Sequence, residues 1–246
     1  MTSLSGEGRL AGRIALVTGA SRGIGAAVAK RFAAEGAHVV LVARTQGGLE
    51  EVDDAIRAAR GDGEDTGATL VPLDLTDYDE IDRMGAALYE RFGRLDVLVG
   101  NAGILGELSP LGHIEPSDWD AVMATNLTAN WRLIRSLDPL LQASEAGRAI
   151  FVSSGVARKV FPYWGGYAVS KAALEMLVKI YASENEQTNV NANILDPATV
   201  RTGMRAKAMP GEDPMTLPTP DAITEDFVTL AEASCSMNGE VVRVSS

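Results

Sequence analysis

The chain of 246 residues has little of what several common functional classes require. It holds one cysteine, Cys235, and two histidines, His38 and His113. A single cysteine excludes an internal disulfide and suits a reducing compartment. Cysteine and histidine together are too few for a zinc site. The sequence therefore predicts a cytoplasmic protein without a structural metal.

Positive charge is also scarce, since 22 Lys and Arg stand against 33 Asp and Glu and the formal net charge is −11. Such a surface repels the phosphates of nucleic acid and of anionic membranes. No apolar run approaches the roughly 20 residues that span a bilayer. Met1–Gly12 shows no basic segment followed by an apolar one, as a secretory signal would. We expect neither nucleic acid nor membrane as a partner.

Short apolar runs alternate with longer helical patterns along the chain. The runs expected to form strands are Ile14–Thr18, His38–Ala43, Thr69–Leu73, Leu95–Gly100, Ala149–Ser153, Asn191–Leu195 and Glu240–Val244. The stretches expected to form helices are Gly25–Glu35, Gly47–Arg60, Asp77–Phe92, Ser117–Leu137, Tyr167–Glu184 and Asp221–Ala233.

This alternation without hairpin signals indicates right-handed βαβ units around a parallel sheet. The predicted fold class is α/β: a Rossmann-type, doubly wound, three-layer αβα sandwich with a mostly parallel seven-stranded sheet. The length would allow one α/β domain or two small ones. No repeat or linker divides the chain, and too little of it follows the Pro/Gly-rich stretch Met209–Pro220 to form a second core. We expect a single domain over residues 1–246 with a short substrate flap around 199–219.

A glycine-rich turn, Thr18–Gly25, follows the first predicted strand and opens the first helix. Its glycines, Gly19, Gly23 and Gly25, form a G-x-x-x-G-x-G pattern. Glycine allows a tight turn and close approach of a ligand to a helix N-terminus, whose free N–H groups and dipole suit a pyrophosphate. The alternative is an ordinary βα turn. Because the loop directly follows the first strand, the pattern favours dinucleotide binding.

The end of the second strand bears on which dinucleotide binds. An acid there would hold the ribose hydroxyls of NAD, but the chain has Val42-Ala43-Arg44-Thr45. Arg44 and Arg22 are suited to bidentate contacts with a 2′-phosphate. NADP(H) is therefore the expected cofactor. If both arginines are only solvated surface charges, NAD(H) remains possible.

Tyr167 and Lys171 stand four residues apart in a predicted helix, so their side chains share one face. An ammonium beside a phenol favours the phenolate, and we expect the pKa of Tyr167 to move toward neutrality. Such a phenol exchanges protons with an alcohol or carbonyl oxygen. Taken alone, the pair is equally consistent with a buried core phenol and a solvated lysine.

With these motifs the chain resembles the short-chain dehydrogenase/reductase family over nearly its whole length. Asp74-Leu75 is similar to the pair that follows the family's third strand, and Asn101-Ala102-Gly103 to its Asn-Asn-Ala-Gly. Asn126 matches the helix asparagine, and Ser154 stands at the usual distance before Tyr167, with Ser153 as the adjacent rival.

The resemblance implies an oxidoreductase that interconverts a carbonyl and a secondary alcohol by hydride transfer. The implied catalytic residues are Asn126, Ser154, Tyr167 and Lys171. Tyr167 would donate the proton, Ser154 would polarise the carbonyl, Lys171 would lower the pKa of Tyr167 and hold the nicotinamide ribose, and Asn126 would hold a relay water. The cofactor-binding residues, from the motifs and the resemblance together, are Gly19, Ser21, Arg22, Gly23, Ile24, Gly25, Arg44, Asp74, Leu75, Asn101, Ala102, Gly103, Tyr167, Lys171, Pro197 and Thr202.

Three positions depart from the family pattern: Gly100 replaces an asparagine, Ala198 replaces a glycine, and a carboxylate, Asp196, is unusual before Pro197. Between Ser154 and Tyr167, where the family lines its substrate pocket, stand Arg158, Lys159, Phe161, Tyr163 and Trp164. These aromatics indicate a flat or apolar substrate portion, or an interface.

The resemblance further implies a homotetramer or homodimer packed through the helices at Ser117–Leu137 and Tyr167–Glu184. The alternative from another class is a regulatory or scaffold protein that binds a nucleotide without turnover. An intact set of Ser154, Tyr167 and Lys171 argues against it.

Overall fold

The computed structural model describes residues 8–60 and 67–244. Seven strands form one sheet in the order β3-β2-β1-β4-β5-β6-β7, and every pairing in it is parallel. The strands are β1 (Ile14–Thr18), β2 (His38–Ala43), β3 (Thr69–Pro72), β4 (Val97–Gly100), β5 (Gly147–Val152), β6 (Val190–Asp196) and β7 (Val241–Arg243). The predicted fold class is confirmed. The two ends of the predicted domain, including residues 1–7 of the segment without a signal-peptide pattern, lie outside the described residues.

Helices cover both faces of the sheet, because successive residues of each strand point to opposite sides. Ala15 and Val17 of β1 enter one apolar core, and Ile14 and Leu16 enter the other. The helices are α1 (Gly23–Ala34), α2 (Gln46–Arg60), α3 (Tyr78–Phe92), α4 (Pro116–Met123), α5 (Ala129–Gln142), α6 (Gly165–Glu184), α7 (Gly203–Ala208) and α8 (Thr224–Ala231). In the described parts of the chain, none of the helices combines the length and apolarity needed to cross a bilayer.

Strand order reverses at the centre of the sheet, where β1 lies between β2 and β4. The crossover from β1 leads to β2 on one side, and the crossover from β3 returns to β4 on the other. A crevice opens at the carboxyl ends of β1 and β4 in such a sheet, and ligands bind there. The glycine loop after β1 and the Asn101–Gly103 segment after β4 both end in this crevice.

The helix expected at Ser117–Leu137 is longer and irregular. It begins at Pro116, passes through a π-helical turn at Ala124–Thr128, and continues to Gln142. The turn contains Asn126, and π turns are frequent at functional positions. Pro139 lacks an N–H and usually ends a helix. Leu140 and Leu141 beyond it are buried in the core, and their packing stabilises the last turn.

The segment expected to be a flap contains a short helix that the sequence pattern does not indicate. Thr202 begins α7 by accepting a hydrogen bond from the Arg205 N–H at 3.2 Å. The Arg205 guanidinium then binds both carboxylate oxygens of Glu212, at 2.6 and 2.7 Å. These contacts tie α7 to the residues that follow it. Movement of residues 199–219 as a flap stays a prediction.

Candidate active site

The glycine loop after β1 has the backbone geometry that its sequence requires. Gly19 and Gly23 have φ of 65° and 59°, in the left-handed region that favours glycine. At Gly25 a Cβ would lie 2.3 Å from the Gly19 carbonyl oxygen, so no larger residue fits. Arg22 is extended and makes no side-chain hydrogen bond to the start of α1. The N-terminus of α1 therefore faces the crevice directly.

Asn101 holds the two edges of the crevice together. Its Nδ2 donates to the Thr18 carbonyl at 2.8 Å, and its backbone N–H donates to Thr18 Oγ1 at 2.9 Å. Thr18 Oγ1 also accepts from Ala102 N–H at 3.0 Å. Asn101 thus connects the end of β4 to the end of β1, where the glycine loop begins. A Cβ at Gly103 would lie 3.6 Å from Lys171 Nζ, so this chain segment passes close to the catalytic lysine candidate.

The ends of β2 and β3 present charged side chains to solvent. Arg44 lies 3.8 Å from a carboxylate oxygen of Asp74. Asp74 also accepts hydrogen bonds from Thr76 N–H and Oγ1, at 2.9 and 2.8 Å, and the backbone bond is the main reason why the pKa of Asp74 is lowered. Leu75, which follows Asp74 in the chain, is buried in the apolar core. Ser21 is half-buried, and Arg22 is exposed on the glycine loop.

Ser154 and Tyr167 meet beyond the end of β5. Tyr167 lies in the first turn of α6 and is buried, with Ser154 within hydrogen-bonding reach of its phenol. Ser153, the rival serine, points elsewhere, since its hydroxyl donates to Glu175 at 2.6 Å. Of the two serines, only Ser154 is placed to contact a group bound at Tyr167.

Lys171 lies one turn after Tyr167 on the same helix and is only 3% exposed. Its Nζ donates to the Val152 carbonyl at 2.8 Å and lies 5.8 Å from the centroid of the Tyr167 ring. The strand end thus orients the ammonium from one side. The other side of the lysine faces Gly103 and the crevice.

The expected lowering of the Tyr167 pKa is wrong for the protein in this structure. Burial raises it to about 12, the Ser154 hydrogen bond acts in the opposite direction, and the charge of Asp196 raises it further. Burial also lowers the pKa of Lys171 to about 8, against the charge of Glu175, which raises it. Desolvation is the largest cause of the pKa shift at both residues, because burial disfavours the charged form of each side chain, the tyrosinate and the ammonium.

Asn126 lies in the π turn and is fully buried. Its Oδ1 accepts from Ile104 N–H at 2.8 Å, and its Nδ2 donates to the Ile104 carbonyl at 2.9 Å and to Ser170 Oγ at 3.0 Å. Its own carbonyl accepts from Asn130 Nδ2 at 2.8 Å. The amide therefore ties the segment after β4 to α6. Its predicted role in holding a relay water stays a prediction.

Two further sets of contacts join the site, and no sequence pattern indicated either of them. Ser170 donates to the Tyr167 carbonyl at 2.8 Å and links Tyr167 to Asn126. Arg158 forms ion pairs with both Glu175 and Asp196. Ser170 and Glu175 share the helix face of Tyr167 and Lys171, so helical periodicity could have found them. The pairing of Arg158 depends on how a loop returns to the sheet, which no local pattern indicates.

The loop after β6 lies against the glycine loop. Pro197 is buried, and Ala198 has φ of 57°, a conformation that costs a non-glycine residue roughly 1 kcal/mol or more. Thr202 Cγ2 lies 3.8 Å from where a Cβ of Gly23 would be. At Gly100, the other departure, a Cβ would lie 2.4 Å from the Phe151 ring and 2.6 Å from Asn130 Oδ1, so these two side chains fill the space of the missing asparagine.

Comparison with known proteins agrees with this geometry. The profile of the short chain dehydrogenase family matches residues 13–213. "Uncharacterized oxidoreductase YciK" of Escherichia coli (strain K12) is 37% identical over 222 residues, which cover 89% of this chain and 85% of that protein. An "Uncharacterized NAD-dependent oxidoreductase" of Mycobacterium tuberculosis is 35% identical over 266 residues and 96% of both chains.

Among solved structures, one chain from Escherichia coli CFT073, crystallised with NADPH, superposes with a TM-score of 0.92 at 34% identity. The match covers 98% of this chain and 100% of that one. Family profile, relatives and fold agree over most of both chains. The protein therefore belongs to the short chain dehydrogenase family of oxidoreductases.

Proposed function

We propose that the protein interconverts a carbonyl and a secondary alcohol by hydride transfer with NADP(H), and that Tyr167 is its general acid and base. The observation that carries the proposal is that Ser154 and Lys171 lie close to Tyr167 beside the crevice, and that Tyr167 and Lys171 are buried. A phenol held next to a hydroxyl and an ammonium has the groups that proton exchange with a substrate oxygen requires.

The crevice fits a dinucleotide. Gly19, Gly23 and Gly25 leave a cradle that a Cβ would fill, and the start of α1 presents its N–H groups to a pyrophosphate. Gly103 and Lys171 bound the nicotinamide end, while Arg44 and Asp74 bound the adenosine end. When bound, the nicotinamide supplies or accepts the hydride. Thr202 lies beside the glycine loop, 3.8 Å from where a Cβ of Gly23 would be, and Pro197 precedes it in the same loop.

The side chains of the site hold and move the proton. During reduction the Tyr167 hydroxyl donates its proton to the substrate oxygen, and Ser154 donates a hydrogen bond to the same atom. The Lys171 ammonium stabilises the tyrosinate that remains, because both groups are shielded from water. Asn126 ties the segment after β4 to Ser170, the residue before Lys171 on α6. A water beside Asn126 returns the proton from solvent.

Cofactor preference rests on the end of β2. Arg44 stands there in place of an acid and forms only a long, exposed pair with Asp74, so it is free to turn toward a 2′-phosphate. The Escherichia coli CFT073 chain crystallised with NADPH supports this preference. The Mycobacterium tuberculosis relative named NAD-dependent keeps NAD(H) as the second candidate.

The substrate end is lined by aromatic rings. Trp164 stacks edge-on against Tyr167 with centroids 6.2 Å apart, and Phe161 follows at 6.4 Å from Trp164. Phe161 and Tyr163 remain half exposed. This row leads from solvent to the reacting phenol and supports a substrate with a flat or apolar portion.

The proposal also covers the oligomeric state of the protein and its location in the cell. Four apolar side chains remain exposed on α5 and α6, namely Trp131, Val169, Met176 and Ile180. The last three follow helical spacing on one face of α6. A homodimer or homotetramer packed through these helices would bury them. With one cysteine in the chain, we also propose a cytoplasmic protein.

The test is oxidation of NADPH against a panel of aldehydes and ketones, with Tyr167→Phe as the diagnostic variant. Removing the acid should lower turnover by about 100- to 10,000-fold. Tyr89→Phe is the matched control, because Tyr89 is 61% exposed on α3, a helix that carries none of the predicted site residues. It should keep wild-type turnover. Undiminished turnover by Tyr167→Phe would refute the proposed mechanism.

A further inference from the structure

Asp196 ends β6 as a buried carboxylate to which the proposed function gives no role. Its Oδ1 accepts from the Ala198 N–H at 3.0 Å, and its Oδ2 pairs with the Arg158 guanidinium. Taking a carboxylate out of water is costly, and such a group persists in a protein only when it is paired and hydrogen-bonded. Each oxygen of Asp196 has a partner of this kind, and the partner of Oδ1 is a backbone group two residues further along the chain.

Ala198 has a backbone conformation that suits glycine. Its φ of 57° lies in the left-handed region, and the residue directly follows Pro197. A positive φ after a proline is typical of a type II turn, in which glycine is the usual residue at this place. A residue with a Cβ keeps this conformation only when other contacts hold it there. Asp196 Oδ1 supplies such a contact, because it accepts the N–H of Ala198 itself and closes a turn through its side chain.

Residues 197–202 run from the end of β6 to the glycine loop. At the start of this segment β6 pairs with β5, whose last residue, Val152, accepts a hydrogen bond from Lys171 Nζ at 2.8 Å. At the end of the segment Thr202 Cγ2 lies 3.8 Å from where a Cβ of Gly23 would be. In the proposed function the nicotinamide half of the dinucleotide lies between Lys171 and the glycine loop. The course of residues 197–202 therefore shapes this half of the crevice.

Asp196 is itself anchored to the sheet and to α6. Its backbone carbonyl accepts from the Val244 N–H at 3.0 Å, just beyond β7. Arg158, in the loop that carries Ser154, pairs with the Asp196 side chain and also with Glu175 on α6. Because the carboxylate is fixed by these contacts, its hydrogen bond can hold the residues after it in a strained conformation.

We infer that Asp196 is a positioning residue for the dinucleotide: its carboxylate holds Ala198 in the left-handed conformation and so sets the course of residues 197–202 along the nicotinamide half of the crevice. The inference rests on the proposed function, which places the cofactor there. A glycine at position 198 would adopt the same conformation without help from a side chain. The carboxylate at 196 thus compensates for the alanine at 198, and the two departures from the family pattern have one physical explanation.

The experiment measures the affinity of Asp196→Ala, Ala198→Gly and the double variant for two ligands by isothermal titration calorimetry. One ligand is NADPH, and the other is adenosine 2′,5′-bisphosphate, which has the adenosine half and lacks the nicotinamide. Asp196→Ala should bind NADPH about tenfold more weakly, because the hydrogen bond to the strained residue is lost. It should bind the bisphosphate as the wild type does. Ala198→Gly alone should bind both ligands within about twofold of the wild type, since glycine adopts a positive φ without strain.

The double variant separates positioning from a merely structural role. Glycine takes the left-handed conformation without the carboxylate, so Asp196→Ala/Ala198→Gly should recover NADPH affinity to within about threefold of the wild type. If Asp196 only neutralises Arg158 or only maintains the fold, the glycine recovers nothing, or both ligands weaken together. Either result overturns the inference, and so does an unchanged NADPH affinity in Asp196→Ala.

Asp213→Ala is the matched control. Asp213 Oδ1 also accepts an N–H two residues further on, that of Met215 at 2.9 Å, but Asp213 is exposed. The control should bind NADPH as the wild type does. A loss equal to that of Asp196→Ala would overturn the inference.

If Asp196→Ala does not fold, Asp196→Ser replaces it, because a hydroxyl accepts from the same N–H more weakly. Its smaller loss of NADPH affinity should again be recovered by Ala198→Gly, and a loss that glycine does not recover overturns the inference. If the wild type prefers NADH, then NADH and AMP replace the two ligands. Wild-type protein that binds NADPH and reduces no carbonyl would refute the proposed function, while the affinities would still decide the role of Asp196. A wild type that binds neither dinucleotide would refute both.

Discussion

Lys171 and Arg44 are both cations proposed to touch one cofactor, yet their surroundings are opposite. Lys171 is 3% exposed, donates to a strand carbonyl at 2.8 Å, and lies among fully bonded side chains. The Arg44 side chain is 66% exposed and reaches Asp74 only at 3.8 Å. One end of the crevice is buried and hydrogen-bonded, and the other is exposed to solvent.

From this contrast we expect the buried end of the crevice to govern the reaction and the exposed end to govern which dinucleotide binds. Buried charges interact strongly, because the effective dielectric constant is low and their positions are held. Exposed pairs contribute about 0–1 kcal/mol and respond to salt. Substitutions at the catalytic end should therefore change turnover by orders of magnitude. Those at the adenosine end should change only which dinucleotide binds.

The largest effect is expected for Lys171→Met, which keeps the length of the side chain and removes the charge. Turnover should fall by about 100- to 10,000-fold, because the tyrosinate loses its stabilising cation. The melting temperature should not fall, since replacing a buried charge by an apolar group of similar volume is often neutral or stabilising. Steady-state kinetics and calorimetry measure the two. Near wild-type turnover would show that the buried end is not catalytic.

Asn126→Ala comes next, and it tests whether the buried end is rigid through hydrogen bonds. The change removes the side-chain partner of the Ile104 N–H and carbonyl, and one of the two hydrogen bonds of the Ser170 hydroxyl. Unfolding free energy should fall by roughly 2–4 kcal/mol, measured by chemical denaturation. Asn191→Ala is the control, because that amide makes one hydrogen bond at 3.2 Å to the Cys235 carbonyl, far from the site. Equal losses in both variants would contradict the expected difference.

Gly25→Ala tests the glycine loop, at the boundary between the two ends of the crevice. A Cβ there would lie 2.3 Å from the Gly19 carbonyl oxygen, so the loop must shift at a cost of about 1–3 kcal/mol. Dinucleotide affinity should weaken accordingly, by up to about 100-fold, in isothermal titration calorimetry. Gly47→Ala is the matched control, since nothing lies within 4 Å of a Cβ in that helix position. Unchanged affinity in Gly25→Ala would contradict the pyrophosphate cradle.

The smallest effect is expected for Arg44→Ala. NADPH should bind roughly tenfold more weakly, the loss of one charged hydrogen bond, while NADH affinity stays the same. Unfolding free energy should change by less than about 1 kcal/mol. Arg83→Ala, which breaks another exposed pair with Glu80, should leave both affinities unchanged. Tighter binding of NADH than of NADPH by the wild type would instead favour NAD(H).

Much of the fold could be predicted because the strands are buried on both faces. A run such as Val39-Val40-Leu41-Val42 is apolar throughout and follows a helix, so local pattern suffices. The π turn at Asn126 and helix α7 could not be predicted. The π turn depends on partners distant in the chain, Ile104 and Ser170. Helix α7 is tied to the residues after it by the Arg205–Glu212 ion pair, a side-chain contact that apolar periodicity does not reveal.

The site shows the same division. Helical spacing alone indicated that Tyr167 and Lys171 share a face, and the serine–tyrosine separation usual in the family favoured Ser154 over Ser153. The direction of the Tyr167 pKa could not be obtained in this way. It depends on how deeply α6 packs and on the charge at the end of β6, and both are properties of the packed protein.

Periodicity and glycine geometry, which are local, were enough to predict the order of strands and helices along the chain and the glycine turn after β1, and the resemblance to the family supplied the candidates for the reactive side chains. Tertiary structure decided which of these groups are dry and which charge faces which. Desolvation and Coulomb energy depend on distances between residues far apart in the chain. Asp196, Arg158 and Glu175 become one electrostatic unit only when β6, the Ser154 loop and α6 pack together.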